Sequence, residues 1–251
     1  MCGGQSYPAD NLTMMNRCYV YSMAHNNWSE GPTLKFFKYP SSSGVYAAQL
    51  WLATVGNSVV AVFRQSYSAL AYMSTLVSNE WSEPVPLDNY PGEQIFSMVA
   101  LDQNHFALLT ISLANIPQRQ FIEIINVETA SRVTEVWNYG ECLNGFLYND
   151  QYSCSMFIHI HEDGSYTHET EVWSLTFQEN YSDPSWSTVY DLPDEIWDDV
   201  SVWYSRMAVV GNMLTAAWPD QGVVNYLDGE QWKTEALEIP RENSAVVVSC
   251  D

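Results

Sequence analysis

Asn27-Trp28-Ser29-Glu30, Glu80-Trp81-Ser82-Glu83, Ser185-Trp186-Ser187-Thr188 and Gln231-Trp232-Lys233-Thr234 are variants of one short segment, spread along a chain of 251 residues. With Trp137, a less regular fifth member, these tryptophans recur at intervals of 53, 56, 49 and 46 residues. Pro and Leu follow closely in Pro32-Thr33-Leu34, Pro86-Leu87 and Leu192-Pro193. A period of this size marks a repeated supersecondary unit that cannot bury its apolar surface alone and must stack on its neighbours. The 28 residues up to Trp28 and the 19 after Trp232 together make one further interval of 47. A linear array gives no reason for that remainder, whereas a closed ring does.

Within each interval the chain reads as strands. Short apolar runs at 49–55, 58–63, 69–76, 97–101, 106–111, 121–127, 155–160, 170–177, 207–210 and 245–248 are broken by Gly, Asn, Asp, Ser or Pro. That spacing is the all-β signature. No window sustains apolar residues at a period of 3.6, so no amphipathic helix is expected. The reading is one all-β domain: a five-bladed β-propeller of four-stranded antiparallel blades, closed by pairing the C-terminal strand with the N-terminal strands. The blades fall roughly at 244–251 plus 1–34, 45–87, 95–143, 144–192 and 199–239. Each blade packs both faces against neighbours and leaves only short edges, which suits this composition.

Gly3-Gly4, then Tyr19-Val20-Tyr21, then Trp28 resembles the double glycine, tyrosine and tryptophan of a kelch motif. The segment 240–248 is similar to the part of that family that opens the next repeat with its innermost strand. The resemblance implies a kelch-like propeller whose C-terminus supplies the inner strand of the blade begun by the N-terminus. Gly-Gly occurs only once, with Phe63-Arg64 or Trp218-Pro219 at equivalent positions, and kelch rings usually have six or seven blades. In this arrangement Cys2 and Cys250 fall in neighbouring strands of the closing blade, with Cys18 one strand further out, and a bridge within the trio fixes the ring shut. Cys142 and Cys154, 12 residues apart, are the candidates for a second bridge, and the odd count of five cysteines leaves one over.

Composition narrows the function classes. Nine Lys and Arg stand against 30 Asp and Glu, a net charge of −21. Nucleic-acid binding and attraction to anionic membranes both need clustered cations, and this chain has few. No run of 18 apolar residues exists, so membrane insertion through a helix is not expected. Met1 is followed by Cys2-Gly3-Gly4 and not by a basic region and an apolar core, so no signal peptide is read in this numbering and the chain reads as a mature or trimmed product. The five cysteines lack CxxC spacing, and sequons stand at Asn11, Asn27 and Asn180. Together with the scarcity of Lys, these features point to a secreted, extracellular glycoprotein.

Four constellations can carry chemistry. In 159–168, a two-residue turn at Asp163-Gly164 places His159 and His161 on one face, with His168 directly opposite His159, a set able to hold Zn²⁺ or Cu²⁺. In 191–199, Asp194, Glu195, Asp198 and Asp199 gather carboxylates of the kind Ca²⁺ prefers, without EF-hand spacing. Trp197 within that run and Trp203 just beyond it are candidates to stack on a sugar or anchor a protein partner. Asp102, Asp150 and Asp199 lie near strand ends where propeller glycosidases keep their acids. No nucleophile elbow, P-loop or dinucleotide fingerprint occurs.

Two classes of function therefore remain open. The first is a non-enzymatic binding or structural module for a glycan or an extracellular protein, alone, as a homo-oligomer or within an assembly, with calcium as the one candidate cofactor. The second is a carbohydrate-active hydrolase using the channel carboxylates, which needs two acids in one pocket, one of them with a raised pKa.

Overall fold

The apolar runs that fall among the described residues form strands of successive up-and-down meanders, while the run at 245–248 lies outside them. The computed structural model describes residues 5–6, 13–14, 17–35, 49–64, 70–87, 94–112, 119–138, 140–160, 166–191, 206–218, 223–229 and 231–236. Two short hairpins come first: β1 (Gln5–Ser6) with β2 (Thr13–Met14), and β3 (Tyr19–Ser22) with β4 (Asn27–Glu30). The next sheet joins β5 (Gln49–Val55), β6 (Ser58–Arg64) and β7 (Ala71–Val77) to two short pieces, β8 (Glu80–Trp81) and β9 (Val85–Pro86), which both pair with β7. Its fourth strand is thus broken in two, and Pro86, which has no N–H to donate, sits where only an edge tolerates it.

Three regular four-stranded antiparallel sheets follow. The first contains β10 (Gln94–Ala100), β11 (His105–Ser112), β12 (Arg119–Asn126) and β13 (Ser131–Asn138). The second contains β14 (Gly140–Tyr148), β15 (Gln151–Ile160), β16 (Tyr166–Thr176) and β17 (Ser185–Asp191). The third contains β18 (Arg206–Val210), β19 (Met213–Trp218), β20 (Val223–Asp228) and β21 (Gln231–Ala236). Among the described residues the only helical segment is a single 3₁₀ turn at Glu179–Tyr181.

Alternation along the strands explains how the sheets stack. Successive side chains point to opposite faces. Val60 and Val62 join Ile95, Phe106 and Leu108 of the next sheet in one apolar layer. Ala61 and Phe63 turn the other way, to Trp81, Leu34 and Cys18. Likewise Ala107 and Leu109 leave that first layer and meet Ile122, Tyr152 and Met156 in a second. Phe146 and Val172 form a third layer with Met207, Leu214 and Leu227. Strands buried on both faces read as continuous apolar runs, which is why 60–63 and 106–111 look as they do. The first strands adjoin, with β10 against β5 and β14, and β14 against β18.

Four of the repeat tryptophans, Trp28, Trp81, Trp186 and Trp232, are the second residue of their strand, whereas Trp137 stands near the far end of its own. Trp28, Trp81, Trp137, Trp186 and Trp232 lie on the last strand of their hairpin or sheet, opposite Tyr21, Leu76, Phe121, Leu175 and Leu227. Two of them also reach across a seam: the Trp81 indole N–H donates to the Pro32 carbonyl at 3.1 Å, and that of Trp186 to Trp137 at 3.4 Å.

A bulge in β14, between Cys142 and Gly145, is the main irregularity of the inner strands. It frees the Gly145 N–H to donate to Ser97 Oγ of the preceding sheet at 3.0 Å. On the other side the Asn144 amide copies a strand edge, donating to the Met207 carbonyl at 2.8 Å while accepting its N–H at 3.4 Å. A disulfide joins Cys142 to Cys154 across β14 and β15, so this expected pair is present. Cys18 is disulfide-bonded as well, with its partner outside the described residues, where Cys2 and Cys250 also lie.

Candidate functional site

The site begins with an Asx turn. After β10 the chain must reverse through Asp102-Gln103-Asn104, and Asp102 holds the reversal by accepting the N–H of Asn104 at 2.7 Å and of His105 at 2.8 Å on Oδ1. The His105 ring follows: its Nδ1 lies 3.0 Å from both carboxylate oxygens. Its other nitrogen, Nε2, faces Asn126 Nδ2 at 3.2 Å. The orientation of that amide is set, because Asn126 Oδ1 accepts the N–H groups of Glu128 and Thr129. An amide N–H donates, so Nε2 accepts and the ring proton resides on Nδ1, directed at Asp102.

Neighbouring sheets buttress this turn on both sides. Gly56, at φ +57 in the β5–β6 turn, stands so close to Gln103 that a Cβ there would meet the Gln103 carbonyl oxygen at 2.6 Å. From the other side the Tyr181 hydroxyl donates to Asp102 Oδ2 at 2.5 Å, across 79 residues of sequence. The Tyr181 ring leans on His105, centroids 4.8 Å apart, and meets the edge of Phe177 at 5.2 Å. Burial pushes the Asp102 carboxyl up, but hydrogen bonds from Tyr181, from the Asn104 N–H and from His105 outweigh it and hold the group below its ordinary 3.8. Burial, reinforced by the same bond to Asp102, raises the Tyr181 phenol.

Between this turn and the β14–β15 and β16–β17 connections opens a cavity of about 540 Å³. Phe177 and Tyr181 give it aromatic surface, Gln151, Gln178 and Asn180 give it amides, and Asp102 and Asp150 give it carboxylates. No Lys or Arg is among its described lining residues. Asp150 sits in a two-residue turn with Asn149, both at positive φ, a conformation that Asn and Asp accept more readily than other residues with a Cβ.

Three positions named from the sequence, Asp102, Asp150 and Asn180, thus come together here. Asp199, the third carboxylate of that set, lies outside the described residues, as do Asp194, Glu195, Asp198, Trp197, Trp203 and the sequon at Asn11. Asn27 and Asn180 are both exposed. The histidine hairpin pairs differently from the expectation: His159 is opposite Thr167 and His168 opposite Ile158, because an irregularity between Met156 and Ile158 displaces the register by one. His161 lies outside the described residues, and no cluster of three His, Cys, Asp or Glu able to hold a metal occurs among the described ones. Sequence reading missed His105, Asn126, Phe177 and Tyr181. The Asp-x-x-His spacing at a strand end was a visible signal for the Asx turn; nothing local signals Tyr181.

No family model and no curated protein matches the chain. Among solved structures, Kuenenia stuttgartiensis hydrazine synthase is similar over 86% of this chain and 61% of its own, with a TM-score of 0.51 and 9% identity. The β-propeller domain of Myceliophteria thermophila Cps50 (Swd1) matches over 78% of this chain and 58% of that one, with a TM-score of 0.44 and 11% identity. The β-propeller domain of the trilobed protease from Pyrococcus furiosus matches over 91% and 79%, with a TM-score of 0.45 and 10% identity. This chain therefore spans less than two thirds of the first two chains it matches, and the likeness is one of fold. The successive four-stranded meanders, packed face to face with their first strands adjoining, define an all-β protein of the β-propeller type.

Proposed function

We propose that this chain is a non-enzymatic extracellular binding module, a kelch-like ring of five blades closed by its C-terminal strand, which holds a glycan in the cavity between the β10–β13 and β14–β17 sheets. The observation that carries the reading is the lining of that cavity. A sugar offers an apolar ring face edged by hydroxyls; Tyr181 and Phe177 supply surface for the first, while Gln151, Gln178, Asn180 and Asp150 supply acceptors and donors for the second. A buried disulfide and the exposed sequon at Asn27 support an extracellular setting.

The hydrolase reading draws less support from the same residues. A glycosidase needs a carboxyl kept protonated near neutrality, yet Asp102 is held below its ordinary range. The lone pair of His105 Nε2 faces an amide and not an open space, so it is not presented as a base. Among the described residues the carboxyl with a strongly raised pKa, Glu123, is not in the lining.

The test is a glycan array probed with the purified protein, with calcium and again with EDTA, beside the Phe177→Ala variant. Binding that survives EDTA and is lost in the variant is expected. Binding lost in EDTA would move the site to the calcium candidates Asp194, Glu195, Asp198 and Asp199. A blank array would sink the lectin reading and leave a protein partner or self-assembly.

A further inference from the structure

We propose that the cavity selects amine-bearing sugars and turns away anionic ones, with Asp150 as the counter-charge to the amine; this rests on the glycan-binding reading above. Its two carboxylates do different work. The Asp102 oxygens already accept two backbone N–H groups, the His105 ring and the Tyr181 hydroxyl, so this residue shapes the wall and contributes its field without offering a free acceptor. Asp150 is exposed in its turn and makes no hydrogen bond or ion pair among the described residues.

Among the described residues no Lys or Arg lines the cavity beside this pair. Arg17 pairs with Glu30, Lys35 with Glu80 and Glu83, Arg132 with Glu123 and Glu135, and Lys233 with Asp228, all away from the cavity lining. The one basic side chain among the described lining residues, His105, directs its Nδ1 proton at Asp102 and its Nε2 at Asn126. A carboxylated or sulfated sugar entering here meets two like charges on a chain of net charge −21, whereas an ammonium group meets one open carboxylate.

The experiment compares three tetramers of similar size by calorimetry at physiological salt: glucosamine, N-acetylglucosamine and galacturonate. The expected order is glucosamine first, the neutral tetramer about five- to tenfold weaker, and the uronate weakest. Asp150→Asn, which keeps a residue at home in this turn, is expected to remove the preference, so that the glucosamine tetramer binds no more tightly than the neutral one. Glu235→Gln, on the last strand of another sheet, removes the same unit of charge and should preserve the preference. Equal binding of glucosamine and N-acetylglucosamine by the parent overturns the selectivity alone. Equal losses in the two variants overturn Asp150 as its source. Failure of every tetramer to bind overturns the glycan-binding reading itself.

Discussion

Glu123 shows how much one side chain can carry. It lies on β12 with its carboxyl 1% exposed, Oε1 3.2 Å from Arg132 Nη1, while Oε2 has no hydrogen-bond partner. Burial raises its pKa from 4.5 to about 7, against the opposing pull of Arg132. The folded state therefore keeps a proton that the unfolded chain releases, so this group's stabilisation is complete below pH 4.5 and is lost as pH rises through about 7. Glu123→Gln should be more stable than the parent at pH 8, by on the order of 2–3 kcal/mol, with the gain gone at pH 4.5; urea unfolding at the two pH values measures this. Asp102 has the opposite sign. Its depressed pKa means stability present above 3.8 and lost as pH falls through the folded value. Tyr181→Phe removes one cause of that depression, so it should cost about 1 kcal/mol at pH 7 and weaken the acid dependence, read by the same titration.

At the scale of strands and sheets, the tryptophan repeat was legible because it marks a fixed place, the last strand of each hairpin or sheet, and because the residue opposite is apolar or aromatic each time. The broken strand at 80–86 was half legible, through Pro86. The histidine hairpin was misread by one residue: an irregularity such as that between Met156 and Ile158 comes from fitting β15 to β16 and leaves no residue type behind. Two outcomes are expected here. Trp81→Ala removes a side chain 1% exposed together with its bond to Pro32, and should lower stability by about 3–5 kcal/mol in denaturant titration. Gly145→Ala drives a Cβ to 2.4 Å from the hydroxyl of Tyr152, itself 1% exposed and unable to swing away, and should cost about 1–3 kcal/mol by the same measurement.

For the molecule as a whole, composition was informative about fold class and uninformative about the site. Asp102 and Asp150 were visible as carboxylates at strand ends, but the bond that makes a cavity of them comes from Tyr181, 79 residues away and positioned by face-to-face stacking of sheets. Each apolar layer belongs to two sheets at once, so no sheet can leave without stripping its neighbours. The described sheets should accordingly unfold together, with far-ultraviolet and near-ultraviolet circular dichroism giving one midpoint; separate midpoints would mean that the sheets are energetically independent.

The placing of aromatic residues at the seams has an optical consequence. Trp81 is sealed between layers and tied to Pro32, whereas Trp28, on β4, is 56% exposed beside Tyr21. An indole held away from water emits at shorter wavelength and is shielded from a dissolved quencher; an exposed one emits further to the red and is dimmed readily. The chain has ten tryptophans, so variants that keep only Trp81 or only Trp28 would let a closed seam and an open hairpin each report by colour whether that part of the structure is covered.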